Sequence, residues 1–104
     1  MIDYKLLESI AYLNYNSPYT PSPIFIYWEP NMVGDCTEKT AWVREILYDL
    51  NIPSKRWICK TEHGKKHAVA IIKEGRDEWV IDCRYPKPIK KEILMYTDWA
   101  CLDE

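Results

Sequence analysis

The pattern of apolar and polar positions divides the chain into two helical stretches, a breaker region between them, and a strand-rich second half. Leu6, Leu7, Ile10 and Leu13 recur at spacings of three and four, which predicts a helix over residues 3–14 with Asp3 as its cap. Pro18, Pro21, Pro23 and Pro30 follow within thirteen positions and forbid a long helix there. Within that region, residues 24–29 suit a short extended segment. A second helix is predicted to open near residue 36. Asp35 is a suitable N-cap, Glu38 stands at the capping-box spacing, and Trp42, Val43, Ile46, Leu47 and Leu50 form an apolar stripe ended by Asn51 and Pro53.

Beyond Pro53 the period changes. Residues 55–61, 67–72 and 78–83 are rich in β-branched or aromatic side chains and read as strands. Lys73-Glu74-Gly75-Arg76 separates the last two and suits a two-residue hairpin turn. The C-terminal stretch adds another strand or a short helix. The expected class is α+β: N-terminal helices packed on an antiparallel sheet of three or four strands.

Length then sets the scale. The chain has 104 residues, enough for a single domain over 1–104 with one modest core. Hydrophobic residues at 47% and charged residues at 29% match a globular protein rather than a disordered one. No apolar run approaches the roughly 20 residues that span a bilayer, and the N-terminus lacks the pattern of a signal peptide. The expectation is a cytoplasmic protein with no membrane partner, whose four cysteines stay reduced. A net charge of −2 leaves no electrostatic footprint for nucleic acid. Lys65-Lys66 and residues 87–91 read as solvated surface.

The chemistry centres on Cys36. If Asp35 caps the helix, the Cys36 thiol sits beside unpaired backbone N–H groups at the positive end of the helix dipole, where a thiolate is favoured. Its own N–H is available to an oxyanion. The apolar stripe begins after Cys36, which sets it apart from a core thiol. The hairpin supplies the rest. With Glu74 and Gly75 as loop residues, Lys73 pairs with Arg76, and His67 then falls opposite Asp82, close enough to donate a ring N–H to the carboxylate. A slip of the loop would break that pairing. Cysteine-based nucleophilic catalysis needs these three parts: a thiol at a helix start, a base, and a group that orients the base. Taken singly, Cys36 reads as a buried small thiol, His67 as a satisfied strand histidine and Asp82 as a strand-end carboxylate.

Gly34-Asp35-Cys36 heading a helix, His67-Ala68-Val69 beginning a strand, and Trp79-Val80-Ile81-Asp82 one strand later resemble the transglutaminase-like core, a branch of the papain-like cysteine hydrolases. The resemblance covers residues 34–85 and extends weakly to the N-terminal helix. It implies a papain-like fold with Cys36 as nucleophile, His67 as general base and acid, and Asp82 as orienting residue. The chemistry implied is acyl transfer through a thioester, with no metal or organic cofactor. Val69 and Thr37 stand where many members carry aromatic residues. Trp28 and Asn31 carry N–H groups and are the candidates for a second oxyanion donor. Tyr15, Tyr19 and Tyr27 are candidates to line a substrate groove above Cys36.

The expected function is thiol hydrolysis of a peptide, protein or small amide, because so short a chain has little room for a second acceptor site. Transamidation on the same triad and a non-catalytic binding module on the same fold are the alternatives. A zinc site drawn from Cys59, His63, His67 and Cys83 is a third. It is disfavoured because Cys83, next to Asp82, would face away from His67, and because His63 lies in a turn. On this reading Cys59, Cys83 and Cys101 are structural thiols.

Overall fold

The computed structural model describes residues 3–16 and 34–102. The proline-rich breaker region, residues 24–29 within it, and Trp28, Asn31, Tyr19 and Tyr27 lie outside the described residues, as do the Asp35 and Glu38 side chains of the expected cap.

Helix α1 runs Tyr4–Asn16. Its start is capped as expected: the Asp3 carboxylate accepts from the Lys5 N–H at 3.0 Å. The helix buries Leu7, Ile10, Ala11 and Asn14, while Leu13 is 55% exposed, so the core stripe is rotated about one residue from the predicted one. Helix α2 runs Gly34–Asp49 and starts two residues earlier than predicted. Its buried positions are Cys36, Thr40, Val43 and Leu47. These recur at four, three and four, so Cys36 continues the core stripe instead of preceding it. At its other end α2 closes in a Schellman arrangement. Asn51 takes a left-handed φ of 59°, the Ile52 N–H donates to the Leu47 carbonyl at 2.8 Å, and the Asn51 N–H donates to that of Tyr48 at 3.0 Å. Ile52 then packs on the cluster that contains Leu47.

The second half forms one five-stranded antiparallel sheet, so the expected count of three or four is exceeded. The strands are β1 (Lys55–Lys60), β2 (Lys66–Glu74), β3 (Asp77–Ile81), β4 (Ile89–Lys90) and β5 (Thr97–Cys101), in spatial order β4-β3-β2-β1-β5. The C-terminal stretch carries both β4 and β5, with a short 3₁₀ turn at Lys91–Ile93 between them. The longest strand, β2, is central and buried from His67 to Ile72. Alternation along it serves two layers. Ala70 and Ile72 join Ile81, the α1 residues Leu7, Ile10 and Ala11, and the α2 residues Val43 and Leu47. Val69 and Ile71 join Val80 in a smaller cluster with Trp57, Leu94 and Trp99. Among the described residues no helix is long and apolar enough to cross a membrane.

The hairpin register differs from the predicted one. Glu74 pairs with Asp77 and Ile72 with Trp79, so the loop residues are Gly75 and Arg76. Gly75, with φ 60°, occupies the first loop position, which suits a type II′ turn and explains the shift. His67 and Asp82 are therefore not directly opposite. Moving a two-residue loop along the chain by one position changes the sum of paired residue numbers by two. Every side chain keeps its face under that change, and Asp82 becomes a diagonal neighbour of His67.

Candidate active site

Three elements bring the site together. Helix α2 is fixed to β2 one turn after Cys36, where the Thr40 hydroxyl donates to the Ala68 carbonyl at 3.2 Å in the interior. Ala68 adjoins His67, so this bond sets the spacing between the thiol and the imidazole. Cys36 is the third residue of α2, and its N–H is among those of the first turn that lack an intrahelical acceptor. Cys36, His67 and Asp82 are all buried, at 6%, 2% and 1% exposure.

The diagonal placement preserves the predicted contact. His67 Nε2 and Asp82 Oδ1 lie 2.6 Å apart. With Nε2 spent on the carboxylate, Nδ1 is the nitrogen with a lone pair or proton to offer elsewhere. One ring nitrogen of His67 lies within 4.8 Å of the Cys36 sulfur.

Asp82 is held from every side. Its Oδ1 also accepts from the Arg84 N–H at 2.9 Å, and its Oδ2 accepts from the Tyr96 hydroxyl at 2.5 Å. Three donors thus converge on the buried carboxylate, so its oxygens are not left without partners. Tyr96 also packs edge-on against the His67 ring, with centroids 5.6 Å apart. Burial and its bond to Asp82 push the Tyr96 hydroxyl well above its ordinary range, so it stays a donor. Arg84 continues outward: Nη1 donates to the Tyr96 oxygen at 3.1 Å and Nη2 to Glu62 Oε1 at 2.7 Å. The hydrogen bond from Arg84 lowers the Glu62 carboxyl below the usual range.

Cys83 corrects the sequence reading. It does not face away from the site: its sulfur lies 3.4 Å from that of Cys36 and within 4.8 Å of a His67 ring nitrogen. Alternation carries Cys83 to the face of Ile81, which packs on Val43 and Leu47 of α2, and Cys36 stands at the start of that helix; the error was to take that face as out of reach of His67. Past the end of β3 the chain turns, with the Tyr85 N–H donating to the Asp82 carbonyl at 3.0 Å. The Cys83 thiol is lowered from its ordinary value, chiefly because Cys36 can donate to its thiolate; burial and the Asp82 charge act in the opposite sense. Cys59 differs. It is buried opposite His67 on β1, and burial, aided by the Asp82 charge, pushes its thiol up to about 12.

His63 is exposed in the turn after β1 and stands apart from this cluster. Tyr15 is half-exposed near the end of α1. Sequence reasoning missed Tyr96, Arg84, Thr40 and the role of Cys83. Tyr96 carries no local signal, since it precedes a strand that the pattern left undecided.

In comparisons with known proteins, no family model, no curated protein and no solved structure matches this chain.

Proposed function

We propose that this protein is a cysteine-dependent acyl-transfer enzyme, a thiol hydrolase acting on a peptide, protein or small amide, with a core of the transglutaminase-like, papain-like type. The reading rests on one arrangement above all: His67 Nε2 locked 2.6 Å from a buried Asp82 carboxylate while the same ring approaches Cys36 at the start of a helix.

In this mechanism the Cys36 thiolate attacks the substrate carbonyl carbon and a tetrahedral oxyanion forms. The Cys36 N–H stabilises it, with a second donor from Trp28 or Asn31. Collapse breaks the bond to the leaving amine, which takes its proton from His67 Nδ1. The neutral Nδ1 then removes a proton from water, and the resulting hydroxide equivalent clears the thioester, releasing the acid and restoring the thiolate. Asp82 keeps the ring in the tautomer that leaves Nδ1 toward the thiol and stabilises the imidazolium between steps. Tyr96 and the Arg84 N–H act through Asp82 and are positioning groups.

The test is acylation by an activated ester such as p-nitrophenyl acetate, under reducing conditions with chelator present. The expected result is a burst of nitrophenolate and a one-acetyl mass adduct on Cys36. Cys36→Ala abolishes the adduct, and His67→Ala slows acylation by about 10²–10⁴-fold. Added amine diverts the acyl group if transamidation is the activity and leaves acetate as the product if hydrolysis is. Acylation that ignores Cys36, or proceeds equally well without His67, overturns the reading.

A further inference from the structure

Acyl transfer needs one thiol and one imidazole, yet this site contains a second thiol that the reaction does not use. Cys83 Sγ lies 3.4 Å from Cys36 Sγ, and one His67 ring nitrogen lies within 4.8 Å of both sulfurs. We propose that Cys36, Cys83 and His67 form a binding site for a soft divalent cation of the zinc class, and that an occupied site caps the nucleophile. The binding stands on ligand geometry; the silencing rests on the acyl-transfer reading.

The spacing suits the ion. Two thiolates at about 2.3 Å from a tetrahedral zinc lie roughly 3.8 Å apart, and a thiolate and an imidazole nitrogen roughly 3.6 Å apart. The two sulfurs need separate by only a few tenths of an ångström, and the imidazole closes by about 1 Å at most. Disulfide formation would require the sulfurs to close to about 2.05 Å with an oxidant present, and would leave the convergence of His67 unused. The surroundings suit the ion as well. A histidine ligand ordinarily donates its other ring N–H to a carboxylate, which fixes the tautomer, and His67 Nε2 already sits on Asp82 at 2.6 Å. Two thiolates beside a buried carboxylate concentrate negative charge that a divalent cation offsets. Sulfur and imidazole donors favour zinc over magnesium or calcium. Cys83, partly exposed, gives the ion a way in.

Binding balances simply. The cation takes up both thiolates, the two thiol protons pass to solvent, and neutral His67 binds through Nδ1 while keeping its Nε2 proton on Asp82. A water fills the fourth position.

The experiment uses the full chain, reduced with a phosphine and stripped of metal, titrated with Co²⁺ and then Zn²⁺. One equivalent of Co²⁺ is expected to give the thiolate-to-cobalt charge-transfer band and the intense visible bands of a tetrahedral site. Zn²⁺ displaces it and a thousandfold excess of Mg²⁺ does not. Cys83→Ser is expected to lose at least 100-fold in Zn²⁺ affinity and about half the charge-transfer intensity. Asp82→Asn loses about 10–100-fold, and His63→Gln loses nothing. Should Cys83→Ser fail to fold by circular dichroism, His67→Gln carries the same test. A six-coordinate cobalt spectrum without charge transfer, or wild-type affinity in Cys83→Ser, overturns the site. Zinc that binds without blocking ester acylation of Cys36 overturns the silencing. Zinc binding in a metal-free protein that never acylates refutes the acyl-transfer reading and leaves the metal site standing; acylation without zinc binding does the reverse.

Discussion

Tyr96 donates its hydroxyl proton to Asp82 Oδ2 at 2.5 Å, from a segment fourteen residues further along the chain and on the far side of the 3₁₀ turn. Removing that hydroxyl leaves a buried carboxylate oxygen without its donor. Tyr96→Phe is expected to cost about 1–3 kcal/mol in chemical unfolding. It is also expected to change the pH profile of Cys36 acylation, because Tyr96 holds the carboxylate that orients His67 and packs on the His67 ring. An unchanged profile would reduce Tyr96 to packing.

Thr40 tests the distance between helix and sheet. Thr40→Val keeps the shape and removes the bond to the Ala68 carbonyl. The expected loss is about 0.5–1.5 kcal/mol in stability, with a disproportionate fall in acylation rate, since Cys36 sits one turn away. A rate equal to wild type would show that the sheet alone holds α2 in place.

Thiol labelling at pH 7 separates the cysteines. The rise of Cys59 from 9.0 to about 12 leaves it roughly 1000-fold less thiolate than an ordinary thiol. The greater intrinsic nucleophilicity of a more basic thiolate recovers part of this, leaving a difference of about 30–60-fold. Iodoacetamide followed by peptide mapping is expected to modify Cys36 or Cys83 faster than Cys59 by at least that factor. Comparable labelling of all three contradicts the opposite shifts of Cys83 and Cys59.

Cys59 also carries a pH dependence of stability. Its folded-state pKa is raised, so the folded protein holds the proton more tightly than the unfolded chain. The contribution of Cys59 is fully present below pH 9.0 and is lost as pH rises toward about 12. Three units correspond to a loss of no more than about 4 kcal/mol at the alkaline end. Tyr96, raised likewise, adds to the decline above pH 10. Urea midpoints measured from pH 8 to 11 are expected to fall, and Cys59→Ala is expected to flatten part of the slope. Parallel curves for the two proteins would refute this.

The cap of α2 gives a prediction opposite in sign for two small residues. Asn51 has φ 59°, where Ala is strained and Gly is not. Asn51→Ala is expected to lose about 1 kcal/mol and Asn51→Gly to be neutral or mildly stabilising, read as thermal midpoints.

What could be read from the sequence followed physical locality. The Asp3 cap, the stop at Asn51 and the Gly75 hairpin are encoded within a few residues, and each element formed close to where its signals stand. The contact between His67 and Asp82 survived an incorrect register because moving a two-residue loop preserves side-chain faces. Cys83 was misread because the sheet face opposite His67 is the one that α2 covers, and the start of α2 brings Cys36 to within reach of both Cys83 and the His67 ring. Tyr96 and Thr40 were invisible for another reason. Their partners, Asp82 and Ala68, lie on other elements, and nothing in the flanking residues marks a bond across tertiary structure.

The order of the site's parts along the chain has a consequence for biosynthesis. Cys36, His67, Asp82 and Arg84 all precede Tyr96, and β5, which follows it, docks at the sheet edge against β1. Small domains fold largely as units when chain becomes available. A nascent chain released only as far as Arg84 therefore holds thiol and imidazole without a fully anchored carboxylate. Of the parts of the site named above, Tyr96 is the last to leave the ribosome and the one that completes the hold on Asp82.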